Sequence, residues 1–235
     1  MHTGLAVSSE CRFQHNDDLT VALAARIWDL LAEAIEQYDE AGMVLAGGST
    51  PVGLYNVLHE LPLPWTSLKL CLSDERWVDV NDPASNEGML MRELTPGMAA
   101  ETLISMAQTT ATPEEDADRV DRALRALSRP WDLVLLGMGN DGHTASLFPQ
   151  ADGLAEALNS EKRCVPVDPG NGGHTRLTLS KRELLNSSRI ILLIRGQEKW
   201  QVYCEALSGT DVSSMPVRAI LHQQQVPVDV YWSLD

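Results

Sequence analysis

The sequence predicts an α/β fold: a mostly parallel sheet with helices on both faces, folded as a single domain over residues 1–235. Three observations lead there. Helical stripes alternate with short apolar runs along the whole chain. Those runs are continuously apolar rather than alternating, as strands covered on both faces must be. The length suits one large domain, since a typical domain holds about 150 residues and strands and helices resume after the loopiest stretch, Val167–Gly173. Strand–helix–strand units of this kind close right-handed and give parallel pairing.

Each element has a local reason. From Leu19 to Tyr38, apolar side chains recur on one helical face. Gly42–Gly47 reads as a short strand ending in glycines, and Thr50-Pro51 opens a helix, proline being harmless in a first turn. Leu68–Leu72 is a strand, and a helix is expected from Asp82-Pro83 to about Met91. Thr112-Pro-Glu-Glu115 is a capping box before a helix to about Leu127, and its acidic cluster Glu114, Glu115 and Asp116 reads as a solvated first turn favoured by the helix dipole. Strands follow at Trp131–Leu136, near Arg163–Val167, at Arg189–Ile194 and at Val226–Trp232, with helices from about Ser180 and after Gly196.

Composition narrows the function. Eighteen Lys+Arg against thirty-three Asp+Glu leave a formal net charge of −15, which argues against nucleic acid or an anionic membrane as partner. Any bound anion must be held by a local positive site. Cys11, Cys71, Cys164 and Cys204 form no CxxC pair, and the apolar neighbours of the last three suggest buried free thiols. No basic leader followed by an apolar stretch and no apolar run of membrane length is present, so the cytoplasm is the expected location. His2, His15, His59 and His222 fall in no metal-ligand spacing.

In open parallel sheets, ligands bind beyond the carboxyl ends of the strands, and three such ends carry unusual loops. Gly47-Gly48-Ser49-Thr50 joins glycines to hydroxyls at a helix start; it reads either as an anion cradle or as a tight turn in which Ser49 or Thr50 caps the helix. Ser73-Asp74-Glu75-Arg76 places Arg76 to clamp an anion and Asp74 to act as a base, or else forms a local Asp–Arg pair. Gly137-Met-Gly139-Asn-Asp141-Gly142-His143 matches a dinucleotide fingerprint in letters only. Pro149 ends any helix too soon, and Asp141 would oppose a pyrophosphate. What the loop offers is His143 with a neighbouring carboxylate, a candidate general base or else a capping histidine. Arg176 and Lys199 are further candidates for an anion site, and no GxSxG nucleophile elbow is present.

Taken together, Leu45-Ala-Gly-Gly-Ser-Thr-Pro51, Ser73-Asp-Glu-Arg-Trp-Val78 with Ser85-Asn86, and Leu136-Gly-Met-Gly-Asn-Asp-Gly-His-Thr-Ala-Ser-Leu-Phe-Pro149 resemble the glucosamine-6-phosphate isomerase/6-phosphogluconolactonase family, in order and over nearly the whole chain. Arg176-Leu-Thr178 and Gly196-x-x-Lys199 are similar to its C-terminal phosphate-contacting segments. The resemblance implies a Rossmann-like fold, no cofactor and no required metal. The implied partner is a small sugar-phosphate lactone, 6-phospho-D-glucono-1,5-lactone, hydrolysed in the oxidative pentose phosphate pathway; oligomeric state stays open. It further implies that His143 is the base, that Arg76 faces the substrate, and that Gly47, Gly48, Ser49, Thr50, Arg176 and Lys199 hold the phosphate; Asp141, two residues before His143, is read as the carboxylate that aligns it. The isomerase branch carries a glutamate five residues after the histidine, where this chain has Phe148, and an aromatic residue in place of Arg76; both departures favour the lactonase branch.

Overall fold

The structure is a computed structural model that describes residues 6–94, 102–170 and 172–235. Residues 1–5, part of the stretch read for a leader, and Asn171 of the glycine-rich loop lie outside the described residues. In chain order the elements are β1 (Val7–Phe13), α1 (Asn16–Tyr38), β2 (Ala41–Leu45), α2 (Val52–Glu60), β3 (Leu68–Leu72), β4 (Asp74–Arg76), α3 (Asn86–Glu93), β5 (Leu103–Ile104) and α4 (Pro113–Arg125). There follow β6 (Leu133–Leu136), α5 (Leu154–Asn159), β7 (Cys164–Val167), β8 (Arg176–Leu179), α6 (Lys181–Leu184), β9 (Ile190–Arg195), α7 (Gly196–Ser208), α8 (Arg218–Leu221) and β10 (Val228–Ser233).

Seven strands make a parallel sheet in the order β1-β10-β9-β6-β2-β3-β5. All four residues of β6 and the first three of β9 are fully buried, which is why these strands are uniformly apolar. Helix α1 buries Leu19, Leu23, Ile27, Leu31 and Ala34, the stripe expected from its spacing, and ends where Asp39 turns into the left-handed region at φ 63°. The chain runs from β2 to β3 on one side and later returns to place β6 on the other side of β2. That reversal of strand order opens a crevice at the carboxyl edge.

A second sheet, β4-β8-β7, is antiparallel. The sequence reading anticipated β7 but neither β4, β8 nor the edge strand β1. Ser73 is the joint between the sheets: its N–H donates to the Leu45 carbonyl of β2 at 2.8 Å, and its carbonyl accepts from Leu179 of β8 at 2.9 Å. Thus β3 continues into β4 with one residue between, and the antiparallel β4–β8 pair, with an arginine on each strand, stands at the carboxyl edge of the main sheet.

Three expectations need correction. Helix α3 starts at Asn86 and not at Asp82-Pro83. Asp82 to Ser85 form a turn in which the Asp82 carboxylate accepts from the Ala84 N–H, and Ser85 is the N-cap, accepting from the Gly88 N–H at 2.9 Å. Asp116 is not solvated but fully buried. Its carboxylate gathers the Thr109 N–H and hydroxyl, the Thr110 N–H, the Trp77 indole N–H and Arg119. Burial raises this carboxyl, and those donors, Thr109 first, outweigh it and hold it well below the usual aspartate range. Finally, Cys71 and Cys164 are buried, but Cys204 is exposed, on the outer face of α7.

Candidate active site

The diglycine turn follows β2. A side chain on Gly47 would overlap the amide of Asn86, so only glycine lets the turn lie against α3. Asn86 is buried and acts as a strut: its Oδ1 accepts from the Gly48 N–H at 3.3 Å and its Nδ2 donates to the Asp74 carbonyl at 3.0 Å. The turn is therefore fixed to β4, and Gly48 adopts φ 81°. Helix α2 has no side-chain cap, so Ser49 and Thr50 are not occupied in that way. Thr50 lines the cavity beyond the turn; Ser49 is exposed and does not.

In β4 the three consecutive side chains have different surroundings. The Asp74 carboxylate is buried and accepts from the Ser73 hydroxyl at 2.9 Å and the Ser146 hydroxyl at 2.6 Å. Glu75 is fully buried and caps α3, taking the Asn86 and Glu87 N–H groups at 2.8 and 2.6 Å and the Ser85 hydroxyl at 2.9 Å. Burial still leaves its carboxyl above the ordinary range despite those donors. Arg76 is anchored through Nη1 to the Ala84 carbonyl, and its buried Nε has no partner. Opposite it in the β4–β8 register stands Arg176, whose buried Nε is likewise unpartnered. The local Asp74–Arg76 pair does not form: among the described residues no carboxylate lies within 4 Å of either guanidinium. Burial and the like charge of Arg76 lower the affinity of Arg176 for its proton.

The third loop follows β6 and is held by its own backbone. The Gly139 N–H donates to the His143 carbonyl at 2.9 Å, and the Thr144 hydroxyl to the Gly137 carbonyl at 2.8 Å. Any side chain on Gly139 would strike the His143 ring and the Asp141 carboxylate. His143 Nδ1 lies 2.6 Å from Asp141 Oδ1, which also accepts the His143 N–H at 3.1 Å. Burial raises the Asp141 carboxyl, but those two bonds and the imidazole's charge bring it below the ordinary value. An ionised carboxylate only accepts, so the proton shared in that contact belongs to Nδ1 and the Nε2 lone pair is left for other work.

These loops enclose a cavity of about 290 Å³ at the carboxyl edge. Arg76, Arg176, Arg195, Lys199 and His143 line it together with Gly47, Gly48 and Thr50. Among the described residues none of its four Arg and Lys side chains has a carboxylate within ion-pair distance, although burial is the main influence on Lys199 and lowers its proton affinity. In a chain of net charge −15 this is a local concentration of positive charge, the electrostatic condition that anion binding requires. Of the residues singled out from sequence, His143, Arg76, Asp74, Gly47, Gly48, Thr50, Arg176 and Lys199 line one cavity; Asp141 supports it from behind His143, and Ser49 stands apart. Sequence reasoning missed Arg195, although its place at the carboxyl end of β9 was a usable signal, and it missed the struts Asn86 and Ser146, whose roles exist only across the fold.

Fold and cavity define a Rossmann-like α/β protein with a cleft lined by four cationic side chains at its topological switch point. Comparison with known proteins specifies it further. The model of the glucosamine-6-phosphate isomerase/6-phosphogluconolactonase family matches residues 14–232, and the chain belongs to that family. It is 38% identical over 213 residues to the 6-phosphogluconolactonase of Pseudomonas aeruginosa, covering 89% of this chain and 88% of the relative. It is 36% identical to that of Mesorhizobium japonicum, covering 94% and 93%. The crystal structure of a 6-phosphogluconolactonase from Shewanella baltica superposes with a TM-score of 0.92 at 38% identity, covering 98% of this chain and 100% of that one. A monomeric glucosamine-6-phosphate deaminase shares the fold, with a TM-score of 0.76 at 22% identity over 94% of this chain and 96% of that one.

Proposed function

We propose that this protein is a 6-phosphogluconolactonase, hydrolysing 6-phospho-D-glucono-1,5-lactone to 6-phospho-D-gluconate, with His143 activating the attacking water. The relatives supply the reaction class. The observation that carries the mechanism is the Asp141–His143 contact of 2.6 Å on a ring that lines a cavity with four cations unpaired among the described residues.

In this reading the 6-phosphate is held by Arg176, Lys199 and the Gly47–Thr50 turn, and that remote grip orients the lactone carbonyl. Nε2 of His143 takes a proton from water as its oxygen bonds to C1. The carbonyl π electrons move to oxygen, and Arg76 faces the resulting oxyanion. Collapse breaks the bond from C1 to the ring oxygen, which takes the proton back from His143. The product acid then ionises. A positioned base contributes roughly 10²–10⁴-fold, enough for a lactone that already hydrolyses in water.

The test is a rapid assay on freshly made lactone against its spontaneous hydrolysis. His143→Ala should lower kcat about a hundredfold or more while KM stays within a few-fold. Full turnover by that variant would remove His143 from the mechanism.

A further inference from the structure

Phe148 follows His143 by five residues, yet its ring lies against the imidazole. The reason is a tight reversal: the Leu147 N–H donates to the Thr144 carbonyl at 3.0 Å, and Ala145 sits in the left-handed region at φ 49°. The reversal is anchored from below, since the Ser146 hydroxyl donates to Asp74 and the Ser146 N–H to the Thr178 hydroxyl at 3.2 Å. Phe148 is thereby presented on the cavity wall. Its centroid is 4.4 Å from that of His143 at a tilt of 47°, and the Arg176 guanidinium carbon lies 5.8 Å from the same ring. Imidazole, benzene ring and guanidinium all line the cavity.

Each neighbour has a freedom that the ring restricts. His143 is tied at Nδ1 and its Nδ1–Cε1 edge lies close to Gly139, which leaves the tilt of the ring about that edge to be set by what packs on its face. Arg176 has an unpartnered Nε and no carboxylate beside it, so its direction rests on what its flat guanidinium packs against. We propose that Phe148 is a positioning residue that joins the two halves of the reaction, fixing the tilt of the His143 imidazole and supporting the Arg176 guanidinium that grips the phosphate. The proposal rests on the lactonase reading of the same cavity.

It predicts a double effect from one apolar side chain. Phe148→Leu keeps bulk but removes the flat ring, so kcat should fall about tenfold and KM rise several-fold, since small misplacements of a base or clamp cost rate steeply. Phe148→Tyr should restore both to within about threefold, given the retained ring. In an Arg176→Met background the KM effect of Phe148→Leu should vanish while the kcat effect persists. Independently of turnover, the His143 carbon-bound proton resonances should move towards ordinary histidine positions in Phe148→Leu as the ring current is lost. Kinetic constants of Phe148→Leu within twofold of wild type, losses that tyrosine does not restore, or unmoved resonances would each overturn the proposal. Should Phe148→Leu not fold, Phe148→Met is read by the same criteria. A wild type that turns over no lactone sinks the lactonase reading instead, and the resonances still decide the ring's contact with His143.

Discussion

Arg176 and Lys199 bear on the phosphate in different ways, and single substitutions should separate them from the base. Arg176 offers a planar fork from the first residue of β8, the central strand of the second sheet, whereas Lys199 is a point charge on the first turn of α7. Arg176→Ala and Lys199→Ala should each raise KM by about tenfold or more, the usual weight of a partly buried charge-assisted contact, with a smaller effect on kcat. If neither changes affinity for the phosphorylated lactone, the phosphate lies elsewhere. Either result is distinguishable from the His143→Ala phenotype, which is a loss of kcat.

Among the elements, α4 and α6 each carry a buried acid with a clear pH signature. Asp116→Asn would turn amide hydrogens towards a ring of donors, so it should destabilise the chain by about 2–4 kcal/mol by urea denaturation. Because Asp116 is held below its ordinary value, its contribution is present above about pH 4 and is lost on acidification. Glu183 of α6 behaves oppositely. Burial is the main cause that pushes it up to about 7 from an ordinary 4.5, against the pull of Arg163 and the Trp131 N–H. A raised carboxyl contributes fully below about pH 4.5, and the contribution is lost as pH rises through 7. Stability of the wild type should therefore carry a decline between those values that Glu183→Gln lacks, measured as denaturation midpoints at pH 5 and 8. The same elements show what the sequence made legible. Stripes and apolar runs located α1, β2, β3, β6 and β9, because burial on both faces leaves a local trace. Three-residue β4 leaves none: Asp74-Glu75-Arg76 is a polar string whose strand character comes only from pairing with β8. The burial of Asp116 was hidden for the same reason, its donors arriving from Trp77, Thr109 and Thr110. The site loops were readable as a set of residues; the Asn86 and Ser146 contacts that hold them together were not.

For the molecule as a whole, both sheets share one apolar core, which includes Val165, Leu177 and Leu179 of the small sheet together with Leu133 to Leu136 and Ile190 to Ile194 of the large one. We propose on that ground that residues 1–235 fold as one domain, which calorimetry should register as a single transition; two resolved transitions would refute it. Among the described residues no helix is long and apolar enough to cross a membrane. The facing arginines of β4 and β8 have a consequence for this melting experiment. Two like charges face each other across this strand pair, Asp74 and Glu75 offset only part of their repulsion, and among the described residues no carboxylate lies within ion-pair distance of either, so a bound anion would relieve it. Inorganic phosphate at tenfold over its Kd should add ~1.4 kcal/mol and lift the midpoint by roughly 3–6 °C, whereas an Arg176→Met variant, with one of the two facing charges removed, should respond far less at the same phosphate concentration: catalytic grip and thermal endurance would then draw on the same pair of side chains.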